Sequence, residues 1–210
     1  MGKLFTEFVG TFFLVLTIGL CVNQSVALAA IAIGGILATM IYMGGHISGA
    51  HYNPAATLAI VLRGAMDAKN AVPYMLAQIL GGMCATLMVL ALNGSSFSPA
   101  PGENVPVLAA VLVELLFTFA LCLVILRTAT VEEVAGNSYY GLAIGLVVTV
   151  AVITIGPISG AALNPAVALG TVLVDVWMGT GGFKHLWIYI VGPFAGGALA
   201  AVAFGAQRED

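Results

Sequence analysis

The phrase GHISGAHYNPA at residues 45–55 returns as GPISGAALNPA at residues 156–166, with eight of eleven positions identical at an offset of 111 residues. An offset of about half the chain length means two copies of one structural unit. Each phrase ends on the tripeptide Asn-Pro-Ala, at Asn53-Pro54-Ala55 and Asn164-Pro165-Ala166. In an apolar chain, paired interruptions at matching places in two halves point to a solute site.

The chain is apolar enough for that rule to apply. Hydrophobic residues make up 61% and charged residues 7%, and mean hydropathy is +1.11. Average soluble domains are roughly a quarter charged. The formal net charge of -3 gives no ground for a nucleic-acid partner. Polar punctuation leaves six long apolar segments, at about 4–22, 26–44, 71–92, 105–126, 139–156 and 185–205. About 20 residues cross a bilayer, so each is read as a span. Segment 4–22 carries Glu7 and lacks an obvious small-residue cleavage site, so it is read as a span and not as a cleaved leader. Cys21, Cys84 and Cys122 show no framework or metal spacing and are expected to be small core residues.

With six spans the connections alternate sides. Lys3, Arg63, Lys69, Arg127 and Arg208 share one side and only Lys184 falls on the other. The positive-inside rule then puts both termini in the cytoplasm. Three spans per half is an odd number, so the second half must be inverted. The expectation is one all-α membrane domain over residues 1–210, a 3+3 inverted repeat with halves at about 1–104 and 105–210.

Residues 53–62 and 164–174 are too apolar for ordinary loops and too short to span. About three helical turns cover ~15–17 Å, half a bilayer. Asn is a favoured N-cap, and Pro suits the first helical position. Each Asn-Pro-Ala therefore opens a half-helix, and the repeat brings the two N-termini together at the midplane. The segments from His46 to Tyr52 and from Pro157 to Leu163 are expected to be irregular backbone lining a wet cavity. Each half-helix start carries roughly half a positive charge, which opposes cations. Asn53 and Asn164 can donate to one solute oxygen, and loop carbonyls can accept along one wall. That describes a passive pore for small uncharged hydrogen-bonding molecules.

Both Asn-Pro-Ala boxes, the SGAHYNPA phrase, Glu7 to Thr11 (EFVGT) and Glu114 to Phe119 (ELLFTF) resemble the aquaporins, or major intrinsic proteins, over essentially the whole chain. The resemblance implies six transmembrane helices in a right-handed bundle with two re-entrant half-helices, a pore in every subunit and a homotetramer. It implies no cofactor, no metal and no enzyme activity. Glu7 and Glu114 are repeat partners inside spans, where an acidic group is expensive and functional by default. They and His51 are assigned to support of the re-entrant loops, against a plainer reading in which the carboxylates snorkel to the surface. His46 is a candidate cytoplasmic pH sensor. His185, beside Trp187 and Tyr189, reads as an interface anchor, and Asp175 ends the second half-helix without an evident partner. Gly141, Gly145, Gly192 and Gly196 fit close helix packing.

One departure from the family pattern bears on selectivity. The residue after the second box, usually arginine in the family, is Val167. The other filter positions carry over to Ile33, Val152 and Ala161, so all four are apolar. Ala168 stands where glycerol facilitators often have aspartate, and Tyr189-Ile190 is half of an aromatic pair common in water channels. The expected activity is passage of water and small neutral solutes through a wide, arginine-less filter, with arsenous acid and glycerol as candidates beside urea, ammonia and hydrogen peroxide. A secondary transporter built on an inverted repeat is the alternative. The compact chain suggests a prokaryotic plasma membrane.

Overall fold

The computed structural model describes residues 1–207; Arg208, counted above for orientation, lies outside the described residues. Six long apolar helices are present: α1 Gly2–Asn23, α2 Ala29–Ser48, α4 Ala71–Asn93, α5 Val107–Ala129, α6 Tyr140–Ser159 and α8 Ile188–Ala206. Two short ones lie between them, α3 Pro54–Leu62 and α7 Pro165–Trp177. At ~1.5 Å per residue the long helices reach roughly 28–35 Å, enough to cross the hydrocarbon core. Leu76, Leu80, Leu112, Leu116 and Val202 remain exposed on the long helices, as lipid-facing side chains should.

The long helices outrun the expected spans at their C-terminal ends. Helices α2 and α6 continue to Ser48 and Ser159, so the irregular segments are confined to 49–53 and 160–164 instead of opening at His46 and Pro157. Pro157 sits inside α6, close to its end. Helix α7 has 13 residues, about a turn more than expected, and Asp175 lies within its last turn. His185 precedes α8 instead of starting it. Cys84 corrects another expectation: Cys21 and Cys122 are buried, but Cys84 is exposed.

Packing runs in matching pairs. Helix α1 lies on α2 and α4, and α5 lies on α6 and α8. The short helices cross over: α3 packs on α8, and α7 packs on α4. Glycines make that approach possible. A Cβ on Gly82 of α4 would lie 2.7 Å from the carbonyl oxygen of Ala166, and one on Gly197 of α8 would lie 2.6 Å from that of Ala55. The α2–α6 seam uses Gly34 and Gly145 in the same way, each facing the other's carbonyl oxygen. Gly141, Gly192 and Gly196 also sit against backbone of a neighbouring helix, the role expected for them.

Candidate functional site

Asn53 and Asn164 cap the two short helices. Their backbones are extended, at φ -155° and -150°, and their Oδ1 atoms accept from Ala55 N and Ala166 N at 2.9 Å. Pro follows each at the first helical position, where no N–H is needed. Both expectations drawn from the tripeptide hold. The amide nitrogens then cross between the halves: Asn53 Nδ2 donates to Leu163 O at 2.9 Å and Asn164 Nδ2 to Tyr52 O at 2.8 Å. Each amide retains one further N–H. The N-termini of α3 and α7 therefore meet, and their positive ends add at one place.

The loops that deliver these caps are strained in the same way. Gly49 and Gly160 end α2 and α6 in the left-handed region, at φ 90° and 85°. Ala50, Tyr52, Ala161 and Leu163 follow at φ 49°, 50°, 50° and 52°. A left-handed conformation costs a residue with a Cβ about 1–2 kcal/mol. The opposing stabilisation comes from two carboxylates that are 0% exposed, Glu7 and Glu114.

Glu7 accepts from Ser48 Oγ at 2.6 Å, His51 N at 3.0 Å, Tyr52 N at 2.7 Å and Gln78 Nε2 at 2.8 Å. Glu114 accepts from Ser159 Oγ at 2.7 Å, Ala162 N at 3.0 Å and Leu163 N at 2.7 Å. Hydrogen bonds to a charged group are worth roughly 1.5–3 kcal/mol each, and a buried charge without them is expensive. Tyr74 and Tyr189 complete each clamp by donating to Ser48 O at 2.9 Å and Ser159 O at 2.5 Å. The snorkelling alternative for both glutamates is excluded by this geometry.

His51 is buried, with its backbone N–H on Glu7 and its ring 5.1 Å from that of Tyr74. Its Nδ1 lies 3.1 Å from Thr57 Oγ1, which donates to Asn53 O and accepts from Gln78 Nε2. His46 is exposed in the last turn of α2. Asp175 is joined to Ser98 of the connection between α4 and α5.

One cavity connects these parts. Its volume is about 140 Å³, many times the roughly 10–15 Å³ that admits one water. Both loops line it, from Gly49 to Asn53 and from Gly160 to Asn164. Aliphatic side chains of α1, α2, α5 and α6 form the facing wall, among them Leu14, Leu37, Leu121 and Val148. Ile33, Val152, Ala161 and Val167 all border this cavity, together with both asparagines. Val167 also packs against Val15, Ala85, Val89 and Phe97. No arginine, lysine or carboxylate lines it among the described residues. Its polar side chains are His51, Tyr52, Asn53, Asn164 and Tyr140, and the Tyr52 hydroxyl is spent on Met40 O at 2.9 Å. An arrangement of this kind can hand a hydrogen-bonding neutral molecule past two amide donors, and it offers a cation no carboxylate.

Several residues of the site were not singled out from the sequence. Ser48 and Ser159 were findable, since they stand at matching positions inside the repeated phrase. Gln78 was findable as an isolated amide within a span. Thr57, Tyr74 and Tyr140 carried no signal that separates them from ordinary helix and interface residues.

Comparison with known proteins agrees with this geometry. A family model described as "MIP: Major intrinsic protein" matches residues 1–204. Aquaporin NIP1-1 of Zea mays is 34% identical over 217 residues, covering 98% of this chain and 74% of that protein. Probable aquaporin AqpM of Archaeoglobus fulgidus is 38% identical over 172 residues, covering 79% and 70%. In fold, the chain is similar to the crystallographic aquaglyceroporin of Plasmodium falciparum, with a TM-score of 0.85, 22% identity and coverage of 98% and 95%.

Proposed function

The chain belongs to the major intrinsic protein family, and from that premise we propose that its filter is the ring of Ile33, Val152, Ala161 and Val167, wide, apolar and without arginine. Membership makes the protein a multi-pass membrane channel for water or small neutral solutes, and not an enzyme. The finer reading is passage of water together with larger uncharged molecules, with arsenous acid ranked first and glycerol next. The observation that supports it is the lining: Ile33, Val152, Ala161 and Val167 all border the cavity, and with valine at the position usually held by arginine no guanidinium narrows the opening or supplies five donors.

The asparagines hold a passing solute by their free N–H groups, and loop carbonyls accept from it. The paired helix ends repel cations. Glu7, Glu114 and His51 serve as supports of the two loops. In this reading the chain is one channel domain of two inverted halves, assembled as a homotetramer. It is a member of bacterial type in the plasma membrane, with both termini cytoplasmic. Stopped-flow light scattering on proteoliposomes with water, glycerol, urea and arsenous acid in parallel tests the solute assignment. Permeation of water alone would overturn it.

A further inference from the structure

The cavity has two unlike ends. Helices α2 and α6 run antiparallel: Gly34 faces Thr149 and Gly145, Ala38 faces Gly141, and Tyr42 faces Tyr140. Ile33, Val152 and Val167 therefore mark one end, and Tyr140 with Ala129 marks the other. Twelve residues of helix separate Tyr140 from Val152, about 18 Å along the axis. Past Tyr140 the cavity gives way to a vestibule under the connection between α5 and α6. The residues bordering both spaces are Gly49, Ala129 and Tyr140. Glycine and alanine bring almost no side chain to that opening, and a second space at the same end shares Gly49, His51, Ile125 and Ala129 with the cavity, so the width there is set by Tyr140, the largest of these side chains, together with His51 and Ile125.

Tyr140 is held in place from behind. Its ring meets that of Tyr42 edge-on, with centroids 5.4 Å apart and planes at 83°. Tyr42 is itself pinned, donating to Ser138 O and accepting from Leu142 N, both at 3.0 Å. The backbone N of Tyr140 is capped by Asn137 Oδ1 at 2.8 Å. A Cβ at residue 45 would lie 2.8 Å from the Tyr140 hydroxyl, so Gly45 leaves room for the ring where it stands. Among the described residues the hydroxyl has no hydrogen-bond partner of its own.

We infer that Tyr140 is a specificity-determining residue of this pore, a second constriction at the mouth remote from Val167, where its ring limits solute size and its hydroxyl hydrogen-bonds the solute as it passes. The inference rests on the neutral-solute channel proposed above and deepens it. With an apolar ring at the Val167 end, the rigid aromatic at the opposite mouth is the group that discriminates by size. Solvation follows the same logic, because the Tyr140 hydroxyl offers a donor and an acceptor at a mouth where His51 is the other polar side chain and Ile41, Ile125 and Ala129 are apolar.

Proteoliposomes bearing wild type, Tyr140→Phe, Tyr140→Ala and Ala129→Leu at equal protein content provide the test, with water and glycerol permeability measured side by side. Tyr140→Ala should raise the glycerol-to-water ratio by about two-fold or more, and Ala129→Leu, filling the mouth from the facing wall, should lower it. Tyr140→Phe should keep the ratio while slowing both solutes. A ratio unmoved in both Tyr140→Ala and Ala129→Leu would overturn the inference. If Tyr140→Ala does not fold, Ala129→Leu and Tyr140→Phe decide alone. Wild-type liposomes no faster than protein-free ones for either solute would instead remove the channel reading beneath it.

Discussion

Gln78 donates to Glu7 at 2.8 Å, a bond for which the other half of the molecule has no counterpart, since Pro193 stands at the matching place on α8. Tyr74 and Tyr189 fix the match, each four residues earlier and each on the serine carbonyl of its own loop. Glu7 thus receives four hydrogen bonds and Glu114 three. Gln78→Leu preserves volume but leaves Glu7 Oε2 with Tyr52 N alone and takes a donor from Thr57. It should lower stability by roughly 1–3 kcal/mol. The apparent unfolding temperature in detergent should fall accordingly, and an unchanged value would deny the bond any weight.

Glu7→Gln and Glu114→Gln should be more severe. An amide turns its NH2 toward backbone donors that need an acceptor, Tyr52 N in one loop and Leu163 N in the other. The left-handed residues then lose what holds them. Each variant should cost more than about 3 kcal/mol and abolish rapid water flux. Membrane yield and stopped-flow scattering, measured together, check it; a stable, fully conducting Glu114→Gln channel would contradict the clamp.

Asn53→Asp and Asn164→Asp replace a donor with a carboxylate facing the carbonyl of Leu163 or Tyr52. The crossing bond becomes a repulsion, and a negative charge arrives where two helix N-termini had excluded cations. The expected outcome is weakened assembly with a cation leak in whatever folds. Planar-bilayer conductance decides, and a folded Asp variant with no ionic current would show that the paired helix ends are not the barrier.

Val167→Arg inserts a long cation into the cavity, because Val15, Ala85, Val89 and Phe97 already fill the space behind residue 167. Solutes larger than water should lose permeability more than water does, so the glycerol-to-water ratio should fall. Stopped-flow measurements at equal protein content check the direction. A ratio that stays level or rises would remove residue 167 from the constriction.

Gly82→Val and Gly197→Val test the crossed packing of the short helices. Each added side chain meets a carbonyl oxygen at the first turn of α7 or α3, and backbone has no room to yield there. Overpacking usually costs ~1–3 kcal/mol, and displacing a cap at the pore centre adds to it. Both variants should lose water permeability before they lose helical circular dichroism. Normal flux in either would mean that the short helices tolerate a shift.

The number and character of the elements were legible because bilayer thickness and the Asn-Pro pair act locally, through span length and helix starts. The loop supports were legible as far as a charge inside a span announces itself, which picked out Glu7 and Glu114. Gln78 carried a signal, as an isolated amide within a span, that was not taken up; Thr57 and Tyr74 escaped because their roles depend on which side of α3 and α4 faces the loop, a matter of tertiary packing. Cys84 was misjudged for a related reason: in lipid, an exposed position and a buried one are both apolar, so hydropathy does not separate them. The irregular segments were drawn too long, opening at His46 and Pro157, because helix context kept both residues within α2 and α6.

The crossed asparagine bonds also set an order of events during synthesis. Asn53 and Leu163 are 110 positions apart, and Asn164 and Tyr52 are 112 apart. At ~5–20 residues per second a ribosome needs roughly 5–20 s to supply the second partner after the first. Through that interval the nascent chain grows from two spans to five, with one capped half-helix whose amide has no mate. The axis of the channel therefore closes late in biogenesis, after the fifth span and before α8, and a chain arrested before residue 163 would wait in the membrane with a polar seam still open.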